Sequence, residues 1–184
     1  MSCDIGFGRL EPCKDTVGGL TAVYIMNYAD VPTSNISYDS TNTDVVDTVN
    51  PTPSTVSAYK YELRGTSTFE QTITPSRDNG TTFVEQVLSL SLKKQDLKTH
   101  KEIKLLAYGR PKIVVEDNNG NFFLCGLEFG AEVTAGTITS GAAMGDASGY
   151  NLTFSAMEKV PANFMNATDE AALAAAGIAV VAGV

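Results

Sequence analysis

Apolar and polar side chains alternate with a period of two along much of the chain, and that period predicts half-buried β-strands. Tyr59, Tyr61 and Leu63 alternate with Lys60, Glu62 and Arg64, and Gly65 breaks the run. Phe69 and Ile73 alternate with Thr68, Glu70 and Thr72. A longer strand spans Thr81 to Lys93, with Leu88, Leu90 and Leu92 facing one way and Ser89 and Ser91 the other. The turn before it, Pro75 to Gly80, carries the signal Asp78-Asn79-Gly80. An earlier strand, Leu20 to Tyr28, is almost continuously apolar. Later, Lys112 to Asp117 and Asn121 to Phe129 are joined by Asn118-Asn119-Gly120, the strongest hairpin signal in the chain. Strands at Ala131 to Thr139 and Ser148 to Met157 flank the Gly-rich loop Ser140 to Ala147.

The period changes once to that of a helix. Asp96 to Tyr108 predicts an α-helix with Asp96 as N-cap and Leu97, Ile103, Leu106 and Ala107 as its apolar side; Gly109 and Pro111 end it. A short second helix is expected from Thr168 to before Gly177, with Asp169 and Glu170 in its first turn. The apolar tail Ile178 to Val181 reads as a strand that adds to a neighbouring copy. From Ala29 to Thr55 the chain is rich in Ser, Thr, Asn, Asp and Pro. A loop of that length is either functional or mobile, and an arm reaching a neighbour and a plain surface loop stand as equal readings. The expected organisation is an N-terminal arm at 1–17, a single β domain at 18–165 with a long loop at 29–57, and a C-terminal tail at 166–184. The expected fold is mainly β, a β-sandwich or partly open β-barrel with the 96–108 helix packed on its side.

Composition narrows the function. The chain of 184 residues suits one domain. Its formal net charge is −8, and the 13 Lys and Arg are scattered, which speaks against a nucleic-acid binder. The local cluster Lys93, Lys94, Lys98, Lys101 and Lys104 is read as the solvated face of the helix. No basic and then apolar leader opens the sequence, and no run approaches the roughly 18 apolar residues of a membrane span. Three cysteines, Cys3, Cys13 and Cys125, make a disulfide framework unexpected and a reducing cytoplasm the expected place of synthesis. Whether Cys3 and Cys13 pair is left open.

Catalytic constellations are missing from the sequence pattern. The single histidine, His100, lies between Thr99 and Lys101 on the expected helix and reads as a solvated residue, which leaves any Ser-His-Asp or Cys-His arrangement without its base. The spacing of one His and three Cys draws no tetrahedral zinc site. Asp117-Asn118-Asn119-Gly120-Asn121 resembles the start of a calcium loop, yet Phe122 stands where that loop needs glycine, so a hairpin turn is the expectation. Gly6-Phe7-Gly8 and Gly141-Ala142-Ala143-Met144-Gly145 lack the spacing and Lys of phosphate-binding loops. No catalytic, cofactor-binding or metal-ligating residue is assigned, no cofactor is expected, and the expectation is a protein that is not an enzyme.

Several runs together resemble the tail-tube-like structural proteins of tailed bacteriophages. They are Leu105-Leu106-Ala107-Tyr108-Gly109, Ile113-Val114-Val115-Glu116-Asp117 and Gly120-Asn121-Phe122-Phe123-Leu124-Cys125-Gly126. The most specific is the small-residue loop from Gly141 to Gly145 with Asp146, then Gly149-Tyr150-Asn151-Leu152-Thr153-Phe154 and nearby Pro161-Ala162. Pro12-Cys13-Lys14 and Gly18-Gly19-Leu20-Thr21-Ala22-Val23-Tyr24 are similar to virion proteins of such phages. The resemblance implies a subunit that joins edge to edge into a ring, commonly of six, whose inner strands line a DNA-conducting channel. It places the protein in the phage virion tail, made in the host cytoplasm, with copies of itself, other tail and head–tail connector proteins and transiently passing DNA as partners. The long loop is then the stacking contact, with Asp30, Pro32, Asn35, Tyr38, Asn50 and Pro51 as inter-ring candidates, and Ile178, Val180 and Val181 as subunit-edge candidates. The added N-terminal arm and Ala-rich tail fit a tail hub, connector ring or terminator as well as a tube. From another class, a capsid-decoration or fibre module binding a cell-surface glycan is the alternative, and the absence of Trp counts against it.

Overall fold

The computed structural model describes residues 7–10, 13–49 and 55–183. In chain order the strands begin with β1 (Leu20–Met26), β2 (Ser37–Tyr38), β3 (Val45–Thr48), β4 (Val56–Glu62), β5 (Thr68–Ser76) and β6 (Thr81–Lys93). Helix α1 (Leu97–Leu106) follows, then β7 (Lys112–Asp117), β8 (Phe122–Cys125), β9 (Glu132–Thr139), β10 (Gly149–Glu158) and β11 (Asn163–Met165). A short helix, α2 (Glu170–Ala175), leads into β12 (Ile178–Val181). They form two open sheets, one of eight strands in the order β12-β4-β1-β7-β8-β11-β3-β2 and one of four in the order β5-β6-β10-β9. The fold is mainly β, and its open sheets agree with a sandwich or a partly open barrel.

β1 explains the layering. Val23 and Ile25 point to one side, Ala22, Tyr24 and Met26 to the other, and all five are buried. A strand buried on both faces reads as a continuous apolar run, which is what the sequence shows. β7, hydrogen-bonded beside it, divides Ile113 and Val115 from Val114 in the same way. The first face meets the four-stranded sheet, through Leu88 and Leu90 of β6 and Leu152 and Phe154 of β10, and also meets Ile103 of α1. The second face is covered by Leu173 of α2 and by Val31, Ile36, Val49 and Leu127 from the connections. Each such buried side chain contributes about 1.5–3 kcal/mol of transfer free energy.

The long strand Thr81 to Lys93 is found with the same limits, and Leu88 and Leu90 are buried while Leu92 is half-buried. The β7–β8 turn has Gly120 at φ +78°, the left-handed conformation a tight hairpin needs. Asp96 caps α1 by accepting the backbone N–H groups of Lys98 and Thr99 at 3.0 and 3.3 Å.

Several expectations are corrected. The 29–57 stretch is not a plain loop: it holds two short 3-10 turns, Tyr28–Asp30 and Thr33–Asn35, and then β2 and β3, which join the large sheet. Its isolated apolar residues Val31, Ile36, Val46 and Val49 are all core. The 166–184 tail is likewise part of the domain, because Ile178 is fully buried and β12 pairs in parallel with β4. On α1, Leu97 and Ala107 are exposed, so the helix buries little besides Ile103 and Leu106. His100 is half-buried, its ring centroid 6.1 Å from that of Tyr150, rather than solvated. The strand expected to run to Phe129 stops at Cys125, where Gly126 turns at φ +71°. Cys3, Asn50 and Pro51 lie outside the described residues.

Gly149 opens β10 against the end of β6, and a Cβ there would collide with the backbone carbonyl oxygen of Leu92. Gly149→Ala is expected to destabilise the protein by about 2 kcal/mol, as an overpacked site without a flexible neighbour does. Gly145→Ala, where nothing lies within 4 Å, should be neutral within about 0.5 kcal/mol. Denaturant midpoints of the two variants check the contrast.

Candidate functional site

The polar side chains inside the domain act as fasteners. Asp117 ends β7 and organises the turn: its carboxylate accepts the backbone N–H groups of Asn119 and Asn121 at 2.9 and 2.8 Å. It also accepts both side-chain amides, at 3.3 Å from Asn119 and 2.9 Å from Asn121. Burial would raise its pKa, but these hydrogen bonds outweigh that and hold it below the usual carboxylate range. The turn then grips the entering chain, since Asn119 exchanges hydrogen bonds with the backbone of Val17 at 2.9 and 2.8 Å and Asn118 donates to Gly18 O at 2.7 Å. The calcium-like run is therefore a clasp whose oxygens are already occupied.

A second fastener joins the sheets. Glu158, buried at the end of β10, accepts the backbone N–H of Phe129 at 2.9 Å and that of Glu128 at 3.0 Å. Gln86 of β6, also buried, accepts Gly126 N at 3.1 Å and donates to Val160 O at 3.4 Å. Together they hold the 126–131 connection that crosses from one sheet to the other. Lys112 is buried nearby, with its Nζ 3.5 Å from Thr33 Oγ1 and 5.2 Å from the Tyr28 ring centroid. Burial pushes the Lys112 pKa down and the Glu158 pKa up, in each case against a partial opposing effect of the other's charge. On the second face, Tyr24 Oη donates to Glu116 at 2.7 Å, and Lys60 pairs with Glu170, tying α2 to the sheet. Cys125 is fully buried and its thiol is pushed up to about 12, mainly by desolvation, so it is no nucleophile at neutral pH. Among the described residues no three His, Cys, Asp or Glu side chains gather where they could hold a metal, and no helix is long and apolar enough to cross a membrane.

What the molecule presents outward is sheet surface and sheet edge. The outward face of the four-stranded sheet carries Thr68, Glu70, Thr72 and Thr74 on β5, opposite Ser89, Val87, Glu85 and Phe83 on β6. Asn151, Thr153, Ser155 and Met157 follow on β10, then Thr137, Ala135 and Glu132 on β9. Hydroxyls and small groups dominate this face, and its charges are acidic except for Lys93 at the end of β6. β9 is a terminal strand, exposed at seven of its eight positions, with Glu132 at its start as its only charge and no proline. β5, at the opposite edge, places Pro75 near its end.

The residues singled out from sequence fall on the large sheet. Asp30, Pro32, Asn35 and Tyr38 lie along the segment leading into and through β2, which ends that sheet, and Tyr38 is 42% exposed. Ile178, Val180 and Val181 lie on β12, the terminal strand at the other end. Their inner side pairs with β4 of the same chain, leaving only the outer side open. The sequence reading missed Glu158, Gln86 and Lys112; each is a polar residue at a core-parity position in a strand, and that placement was the available signal. No protein-family model, curated protein or solved structure matches the chain.

Glu158→Ala would leave two backbone N–H groups unpaired and is expected to cost about 1–3 kcal/mol. The pH sign follows from the raised pKa. The stabilising contribution of the protonated carboxyl is complete below the ordinary value of 4.5 and is lost as pH rises through the higher folded value. Glu158→Gln should therefore flatten the decline of stability just above pH 4.5, seen by comparing denaturant midpoints across that range.

Proposed function

We propose that this chain is a structural subunit that assembles with copies of itself, and specifically a tail-tube-like subunit of a phage tail whose rings conduct DNA. The supporting observation is the β9 edge: an exposed terminal strand without proline or any charge beyond Glu132. Monomeric proteins blunt such edges with Lys, Pro, bulges or covering loops, because unpaired N–H and C=O groups recruit other strands. β9 has one of these devices, a register shift opposite Thr153 and Phe154, while Ala135 to Thr139 keep a regular register. In a head-to-tail ring, β9 of one copy meets β5 of the next, and the four-stranded sheets merge into one wall. The face that would line such a ring carries Glu70, Glu85 and Glu132 against the single cation Lys93, a balance of charge that repels phosphates. Inside the domain, the buried Glu158 and Gln86 are engaged in holding the 126–131 connection.

Negative-stain microscopy and sedimentation of the purified chain test the proposal. Rings or stacked tubes are expected for the native sequence. Ala135→Lys with Thr137→Lys, both exposed on β9, should give a folded but largely monomeric protein by circular dichroism and sedimentation. A native chain that stays monomeric at high concentration sinks the proposal.

A further inference from the structure

We propose that the basic groove beside β12 receives the acidic β2–β3 segment of a second copy of this chain. This contact rests on the self-assembly reading and names a surface and a partner for it.

The groove, of about 700 Å³, lies between β4, the end of β6, the start of α1 and the chain after β12. Its lining includes Lys60, Arg64, Lys93, Lys94, Lys98 and Lys101, six of the 13 Lys and Arg in a chain of net charge −8. Three carboxylates also line it: Glu62, Asp96 and Glu102. Two of these are already occupied, for Asp96 caps α1 and Glu62 lies 3.9 Å from Lys60 and 3.7 Å from Arg64. Lys93, Lys94, Lys98 and Lys101 form no ion pair among the described residues. The expected solvated helix face is thus one wall of a concave surface that continues onto the strands.

The end of a strand edge reaches the same groove. β12 ends the large sheet, and Val181, Ala182 and Gly183 line the groove. An occupant that uses both features must be a peptide, offering backbone groups to the edge and carboxylates to the lysines. The chain supplies one. Between Lys14 and Lys60 there is no Lys or Arg, while Asp15, Asp30, Asp39, Asp44 and Asp47 all fall there. Asp39 and Asp44 bound the turn between β2 and β3, and Asp44 is exposed. β2 is the opposite terminal strand of the same sheet. Eight strands at their usual spacing put roughly 34 Å of sheet between the two edges, and within one copy β12 pairs with β4 and β2 with β3. Opposite charge on opposite edges makes a heterologous, head-to-tail contact, the kind that closes into rings. A nucleic-acid strand would gain from the lysines but would meet Glu62 and Glu102 and leave the strand edge unpaired.

The test uses the full chain. Lys98→Glu with Lys101→Glu should weaken self-association roughly tenfold or more by sedimentation, with circular dichroism unchanged, and added Asp44→Lys should restore it. Carbodiimide treatment of mixed ¹⁴N and ¹⁵N protein should join Lys98 or Lys101 of one copy to Asp44 of another. If the native chain assembles and the reversed variant assembles equally, this contact is wrong while the proposed function stands. Disruption with neither rescue nor cross-link overturns the choice of partner segment. Binding of a fluorescent DNA duplex that is lost in the reversed variant, with assembly intact, would assign the groove to nucleic acid and overturn the inference. A native chain that never assembles removes both proposals.

Discussion

The structure depends on one constraint: β1 and β7 are buried on both faces, so the domain has to supply an apolar layer on each side of them. One layer comes cheaply, from the regular alternation of β6 and β10. The other has no second sheet to draw on and is assembled from short pieces, including Val31, Ile36, Val49, Leu127 and Leu173. That asymmetry explains the polar fasteners. Irregular segments carry backbone donors that no ladder satisfies, and Glu158, Gln86 and Asp117 are placed where they satisfy them. Lys112 and Glu158 are costly to bury, as the directions of their pKa shifts show, and such groups persist where an apolar side chain could not hold the connection.

Satisfaction inside contrasts with what is left open outside. Two open sheets have four edges, and among them β9 and β12 carry no Lys, Arg or Pro. An eight-stranded sheet with a parallel strand added at one end by the C-terminal segment could have been capped there; instead it ends in Ile178-Ala179-Val180-Val181 beside a lysine-lined groove. The helix shows the same openness, with Leu97, Leu105 and Tyr108 exposed at 85%, 59% and 94%. Exposed apolar groups of this kind are what the proposed assembly would cover.

Legibility followed the length of each element. Thr81 to Lys93 held the clean alternation of Leu88, Leu90 and Leu92 with Ser89 and Ser91, and α1 had a cap and a stop, so both could be read directly. β2, β3 and β11 have two, four and three residues, too few for a period to emerge from a polar stretch, and tertiary pairing alone makes them strands. Leu97 and Ala107 misled because a helical period identifies a stripe but not whether anything covers it. The basic cluster was visible as a run on α1, whereas Lys60 and Arg64 joined it only through the fold. Likewise, Glu158 and Gln86 stood at inward positions of their strands, and their role needed the partner backbone to be seen.

Charge placement carries the last step. Copies bearing −8 each repel one another, so the proposed self-assembly cannot rely on overall attraction. At physiological ionic strength the screening length is about 8 Å, so the net charge matters during approach while contact is decided by what lies within a few ångströms. Concentrating six cations beside one edge and leaving the segment before the other edge without any is a way to make contact attractive in one orientation only. Face-to-face meeting of the Glu-bearing sheet surfaces is disfavoured, as is the meeting of two β12 edges with their lysines. In the proposed assembly the arrangement these charges favour is head to tail, and the outward face of the small sheet, with Glu70, Glu85 and Glu132 against Lys93, stays net acidic.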